Sequence, residues 1–332
     1  MYTSLEPTNL KDGTSAELGI ILGPDEDWAD RVDHLLGHKS EIWQWQNATT
    51  IRQPLELECR YAIASRDGLP FANVATFEHA GVGILGHVFT QEDARGKGAA
   101  SALMTVVMHD FKTRGGRALY LGTAFDSPAF HIYRKHGFAP VEPGSGEMVF
   151  HAGTSQGFNA AFFDIATPEI GPPSWTDWAM GQPLFTDEMP GRLRCMRLGV
   201  LGRTGAESGL LAVIREHLAH PAGHPPTCLL LRDAKRRSVA ACATWSHHRH
   251  WPHTIIVDLY SHPHTWDASE SLLAKLQLPP CARAVAYVDE QTPEKAAVLE
   301  KAGFRPGATF HQRIAADLAR SAHLDVTEYV KQ

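Results

Sequence analysis

The pair Gly137-Phe138 recurs 166 residues later as Gly303-Phe304, and 166 is half of the 332-residue chain. Each pair follows a helix-like run, 127–136 in one case and 293–302 in the other, and the order of elements before it also repeats. A spacing this long marks a duplicated domain rather than a short-period solenoid. The length itself fits two domains. A polar, Gly-containing stretch at 153–157 reads as the connector, so the domains are expected at 1–152 and 153–332.

In the first half, 17–22 reads as the first strand. Pro24-Asp25-Glu26-Asp27 signals a helix start, with Trp28, Val32, Leu35 and Leu36 at helical spacing up to Gly37. Trp43-Gln44-Trp45 falls between the first two helices and reads as a pair of aromatic core anchors. Strands follow at 59–65 and 71–77 around Asp67-Gly68, and at 82–90. Next comes Arg95-Gly96-Lys97-Gly98-Ala99-Ala100-Ser101, on the front of a helix. Leu103, Val107 and Phe111 recur there at i+4 with Val106 beside them, and Ser101, Thr105, His109 and Lys112 take the other side. Glycines let a backbone approach a ligand and leave N–H groups free at the helix start. The helix dipole, Arg95 and Lys97 add positive charge, which makes an anion site suited to a pyrophosphate. Strands at 118–122, 138–141 and 148–151 close this half, the last two as a hairpin around Pro143-Gly144-Ser145-Gly146.

The loop is not a Walker loop, and Gly81-Val82-Gly83-Ile84-Leu85-Gly86 lies inside a strand rather than between strand and helix. Arg95-x-x-Gly98-x-Ala100 resembles the acyl-CoA loop of the GNAT N-acetyltransferase superfamily, (Q/R)-x-x-G-x-(G/A). Ala129-x-x-x-Tyr133-x-x-x-Gly137-Phe138 resembles the family's A-x-x-x-Y-x-x-x-G-F element. Val88-Phe89-Thr90 sits where the family's fourth strand splays and pairs with the pantetheine arm. The three occur in family order, and the resemblance covers roughly 18–150.

The resemblance implies an α/β fold of the α+β kind: two tandem GNAT-like folds, each a mixed, mostly antiparallel sheet flanked by helices. It implies acetyl-CoA as co-substrate, bound by Val88, Phe89, Thr90, Arg95, Gly96, Lys97, Gly98, Ala99, Ala100, Ser101, Asp126 and Ser127. It implies acetyl transfer to an amine, with Tyr133 as general acid toward the leaving thiolate. A phenol with reference pKa near ~10 stays protonated at neutral pH. The other reading of Tyr133 is a helix aromatic packed in the core. The general base stays open among His87, which alternates with Leu85 and Phe89 on one strand face, and Glu78, His79, Asp126 and Glu92, or water.

In the second half, 162–165 reads as a strand, and Pro168-Glu169 and 175–180 as a helix start. Leu210, Leu211, Val213, Ile214 and Leu218 form an amphipathic helix, and 228–231, 239–245, 254–260 and 284–288 are strand-like. Asp267-x-x-Glu270 resembles a capping box before a helix with Leu272, Leu273 and Leu276. Aligned by strand end, Trp266-x-x-Ser269-x-Ser271 takes the place of the Arg95 loop, and Leu299 that of Tyr133. Without glycines or phenol, this half is expected to be degenerate: structural or substrate-shaping, with one acyl-CoA per chain. It would supply one wall of the acceptor cleft or a homodimer surface.

The net charge of −6 and a pI near 6.3 argue against a nucleic-acid partner and lean toward a cationic or neutral acceptor. The acceptor is expected to be a small-molecule or peptide amine. Five scattered cysteines without C-x-x-C give no zinc or disulfide framework and suit a cytoplasmic location. No apolar run is long enough to span a membrane, and 1–13 lacks a signal core. His247, His248, His250, His253, His262 and His264 cluster without cysteine partners, and an exposed turn is expected rather than a metal site. The reading from another class is a CoA-binding regulator or scaffold without turnover.

Overall fold

The computed structural model describes residues 1–220 and 223–332. It divides into two units, Met1–Ala139 with Met148–Thr154, and Pro140–Glu147 with Ser155–Gln332. The first unit is built on one eight-stranded sheet. Its strands are β1 (Tyr2–Asn9), β2 (Ser15–Leu22), β3 (Glu58–Arg66), β4 (Leu69–His79), β5 (Val82–Thr90), β6 (Ala118–Gly122), β7 (Ala139–Pro140) and β8 (Glu147–His151). They are ordered β1-β2-β3-β4-β5-β6-β8-β7. The first five form an antiparallel meander, and β5 pairs with β6 in parallel. The helices are α1 (Glu26–Leu36), α2 (Glu41–Arg52), α3 (Ala99–Thr113) and α4 (Pro128–Lys135).

Along β3, Ala62 and Ala64 turn to one side, where Leu103, Met104, Val107 and Phe111 of α3 pack with Val74, Leu85, Tyr133 and Phe138. Tyr61 turns to the other, where its hydroxyl meets Thr50 of α2 at 2.6 Å and its ring meets Phe77 edge-on. Each large apolar side chain buried this way contributes roughly 1.5–3 kcal/mol. Asp25 caps α1 by accepting from Trp28 N–H at 3.3 Å. The true first strand is β1, not 17–22. Its side chains are largely exposed, and a half-solvated edge carries no apolar alternation.

The β5–β6 pairing ends at Ile84↔Tyr120, although β5 continues to Thr90. The two strands therefore fork. A bulge adds to this: Gly86 faces Ala75 and Phe89 faces Asn73, so β5 carries one extra residue, and His87 takes φ +51°.

The second unit contains α5 (Ser155–Phe162), β9 (Pro168–Gly171), α6 (Trp175–Met180), α7 (Gln182–Thr186), β10 (Leu193–Cys195), β11 (Val200–Leu201) and α8 (Glu207–Ala219). They are followed by β12 (Cys228–Asp233), β13 (Val239–His247), β14 (Thr254–Ser261), α9 (Trp266–Lys275), β15 (Arg283–Asp289), α10 (Pro293–Lys301), β16 (Arg305–Ala315) and β17 (His323–Lys331). Its main sheet runs β9-β12-β13-β14-β15-β17-β16, the order of β2-β3-β4-β5-β6-β8-β7 in the first. The parallel pair recurs between β14 and β15 and also ends after three residues, at Ile256↔Val285.

Three local expectations fail here. Residues 162–165 are not a strand: Phe162 ends α5, stacked on Phe158 one turn earlier. Pro168 and Glu169 begin β9 instead of a helix, because Asp233 accepts from Ala166 and Thr167 N–H and draws that segment alongside β12. Asp267 and Glu270 form no capping box, since α9 starts earlier, at Trp266, with Thr265 as an N-cap whose side chain bonds Ala240 O and His262 O rather than the helix N–H groups. The capping box lies at Ser174 and Asp177, before α6. Among the described residues, no helix is long and apolar enough to cross a membrane.

Candidate active site

After β5, a 3-10 turn at Glu92–Ala94 leads into the glycine loop. Gly96 and Gly98 take φ of +76° and +98°, the left-handed region that suits glycine. A Cβ at Gly96 would meet nothing within 4 Å, and at Gly98 only the Lys11 stem at 3.6 Å, so the space above the loop is open. Gly98 is the N-cap of α3 and offers no side-chain cap. The N–H groups of Ala99, Ala100 and Ser101 thus start the helix without a capping side chain, at the positive end of the dipole.

The loop's charges are partly engaged. Lys97 Nζ lies 3.0 Å from Asp12 Oδ2, and Lys11 N–H donates to Lys97 O. The Thr14 hydroxyl and N–H, then Lys97, hold the Asp12 carboxyl well below the usual range. Arg95 Nε donates to Thr90 O at 3.1 Å, with its guanidinium 6.0 Å from the Phe89 ring centroid. Val88, Phe89 and Thr90 are half-buried on the forked end of β5. Val88 packs on the α3 side, and Phe89 carries the His38 ring at 4.1 Å.

The remaining candidates are placed less simply. Asp126 (φ +58°) lies 3.0 Å from His131 Nε2, and Ser127 Oγ caps α4 by accepting from Phe130 N–H. Both organise the start of the Tyr133 helix. Tyr133 is 6% exposed within the α3-side cluster, its ring 6.1 Å from that of Phe138.

The base candidates narrow. Glu78 is fully buried, and both its oxygens accept from Arg114. His87 does not share a face with Leu85. The bulge turns it toward α2, where its Nε2 meets Gln46 Oε1 at 2.6 Å while Leu85 packs on α3. Burial, then the charges of Lys39 and His38, push its pKa down to about 3, too weak for an efficient base at neutral pH. Trp43 and Trp45 lie within α2 and are half-buried, not core anchors; Trp43 meets His87 edge-on at 5.8 Å. That helix buries Gln46, Asn47, Thr50 and Ile51, so apolar periodicity missed it.

Residues 29–138 match the family model described as Acetyltransferase (GNAT) family. Residues 29–138 form a GNAT acetyltransferase domain. Acetyl-CoA is the co-substrate of that family. Solved structures similar to this chain include an N-acetyltransferase from Staphylococcus aureus Mu50 (15% identity, 50% of this chain and 99% of that one, TM-score 0.38). Another is yncA from Salmonella typhimurium, solved with its cofactor acetyl-CoA (15%, 50% and 94%, 0.35). A third is ribosomal-protein-S5-alanine acetyltransferase from Vibrio fischeri (14%, 51% and 94%, 0.35). No curated protein matches the chain.

In the second unit, the place corresponding to the GNAT loop is built differently. The 3-10 turn Pro263–Thr265 runs straight into α9, and Trp266 is already helical at φ −60° and ψ −37°. No counterpart of residues 95–98 intervenes, so Trp266 and Ser269 are helix residues rather than loop substitutes. Ser269 Oγ is buried against Ser261 Oγ and Thr265 O, each at 2.9 Å. The fork there is taken by the chain itself. Asp289, the last residue of β15, accepts from Arg192 and Leu193 N–H at 2.7 Å each. Asp258 of β14 accepts from Met196 and Arg197 N–H. Lys295 donates to Leu193 O, and Tyr260 to Pro190 O.

Among the described residues, no group of three His, Cys, Asp or Glu could hold a metal ion. The stretch 248–253 connects β13 to β14, with His248 stacked on Trp251.

Proposed function

We propose that the first unit transfers an acetyl group from acetyl-CoA to a primary amine by direct attack. The observation that carries this reading is the uncapped start of α3 beneath open space, next to the forked end of β5. The pyrophosphate accepts from the N–H groups of residues 99–101, and the pantetheine arm pairs with the free side of Val88–Thr90. A backbone N–H in that stretch donates to the thioester carbonyl, where negative charge develops. The neutral amine nitrogen attacks the carbonyl carbon, the C–S bond breaks, and Tyr133 gives its proton to the departing sulfur. The surplus proton on nitrogen leaves to water, and water returns a proton to the Tyr133 phenolate.

The second unit is a degenerate copy of the same fold and takes no cofactor. Its corresponding backbone lacks the loop, and its fork holds residues 190–197. Calorimetry with acetyl-CoA should therefore give one site per chain. Two equivalent sites would overturn the assignment.

Gly98→Glu puts a Cβ and a negative charge where phosphates approach. Affinity for acetyl-CoA should fall at least tenfold, about 1.4 kcal/mol. The φ of +98° adds roughly 1–2 kcal/mol of strain to the folded state, so the thermal midpoint falls as well. Calorimetry on folded protein separates the two effects, and unchanged affinity would remove the loop from the pyrophosphate site. A non-catalytic CoA-binding protein is the competing reading. Free-thiol release from acetyl-CoA across a panel of amines distinguishes them, since a binder releases none.

A further inference from the structure

At the forked end of β5, the first unit brings His38 and Lys39 beside Phe89 and His87. Lys39, between α1 and α2, is partly buried, and that burial lowers its pKa. Among the described residues its ammonium has no ion pair. By contrast, Arg52, Arg60, Lys97 and Arg114 of the same unit, also partly buried, each lie 3.5 Å or closer to a carboxylate oxygen. The neighbouring His38 rests on Phe89, and Lys39 is near enough to His87 to depress its protonation. Asp33, the acid on the facing side of α1, is committed to Arg52 and Asn47. Trp43 adds a half-buried aromatic wall next to His87.

A partly desolvated ammonium without a counter-ion is unfavourable unless a ligand brings one. Charge-assisted bonds to a carboxylate, phosphate or sulfonate are the strong way to meet it. We infer that Lys39, assisted by His38, selects an amine acceptor that also carries an anionic group, so that the substrate is zwitterionic rather than a polycation. The local charge thus runs opposite to the chain-wide balance of −6. The inference rests on the acetyl-transfer reading for its meaning, but its test does not depend on turnover.

The test compares α-amino acids with the amines left when the carboxylate is removed, measuring acetyl transfer by thiol release. The wild type should favour the amino acid of each pair by at least tenfold in kcat/KM. Lys39→Gln should raise KM for the amino acids about tenfold and leave the simple amines and acetyl-CoA affinity unchanged, and Lys39→Arg should restore most of the difference. Equal loss for both members of a pair, or no preference in the wild type, overturns the inference. Binding of the same pairs, followed by calorimetry with CoA present, covers the case without turnover. Lys39-dependent binding of amino acids without transfer would uphold the anionic subsite and reject the acetyl-transfer reading. Equal or absent binding would reject the subsite.

Discussion

Replacing Tyr133 with Phe is expected to lower kcat by roughly 10²–10⁴-fold, the usual worth of a general acid. The ring should keep its place, because Tyr133 sits in the α3-side cluster beside Phe138 and Phe has the same outline. Loss of the hydroxyl should cost about 0.5–1.5 kcal/mol of stability at most, which leaves the fold intact. Acetyl-CoA affinity should change little, since the loop and the forked strand are untouched. A pH series makes the test specific: the variant should remain slow wherever the wild type is fast. Full turnover in Tyr133→Phe across pH would leave the residue as a packed helix aromatic, the alternative its low exposure also allows.

The second large effect is on stability. Asp289→Ala should destabilise the second unit by about 3–5 kcal/mol, the range for stripping one member from a buried charged network. Asp289 is fully buried, and its Oδ2 takes the N–H groups of both Arg192 and Leu193. Its Oδ1 accepts from Gln291 N–H, and buried Lys295 depends on it and on Asp258 for counter-charge. Removing the carboxylate leaves donors and an ammonium buried without it. Thermal denaturation should report the loss, and amide exchange should accelerate first at 192–197. Exchange there at wild-type rates would mean that the clamp does not hold the segment.

Much of this organisation was legible in residues whose spacing has one physical meaning. The apolar, turn-bounded strands β3 to β5, the i+4 stripe of α3 and the repeated Gly-Phe pairs all carried their elements into the structure. Elements that bury polar atoms did not announce themselves. Helix α2 turns Gln46, Asn47 and Thr50 inward, and β1 is an edge whose side chains meet water. The bulge at His87 was hidden for another reason. Nothing in Leu85-Gly86-His87-Val88-Phe89 shows that an extra residue enters there, so strict alternation put His87 on the wrong face. The clamp of 190–197 was equally silent, because Asp258 and Asp289 are far from that segment in sequence and only the fold unites them. Lys39 stood out only once its lack of an acid could be seen.

The two forks have a consequence for handling and for evolution of the chain. Strands that part company leave main-chain donors and acceptors along a naked edge, and such an edge recruits any extended peptide that reaches it. In the second unit, residues 190–197 act as a resident guest, covalently part of the chain. In the first, under the proposed function, the guest is the pantetheine arm, borrowed from solution. Under the proposed reading, protein purified without CoA keeps a template for self-association that saturating CoA should suppress. If the second unit is the degenerate copy proposed above, residues 190–197, held by Asp258 and Asp289, are the internal substitute that such a copy would be under pressure to grow.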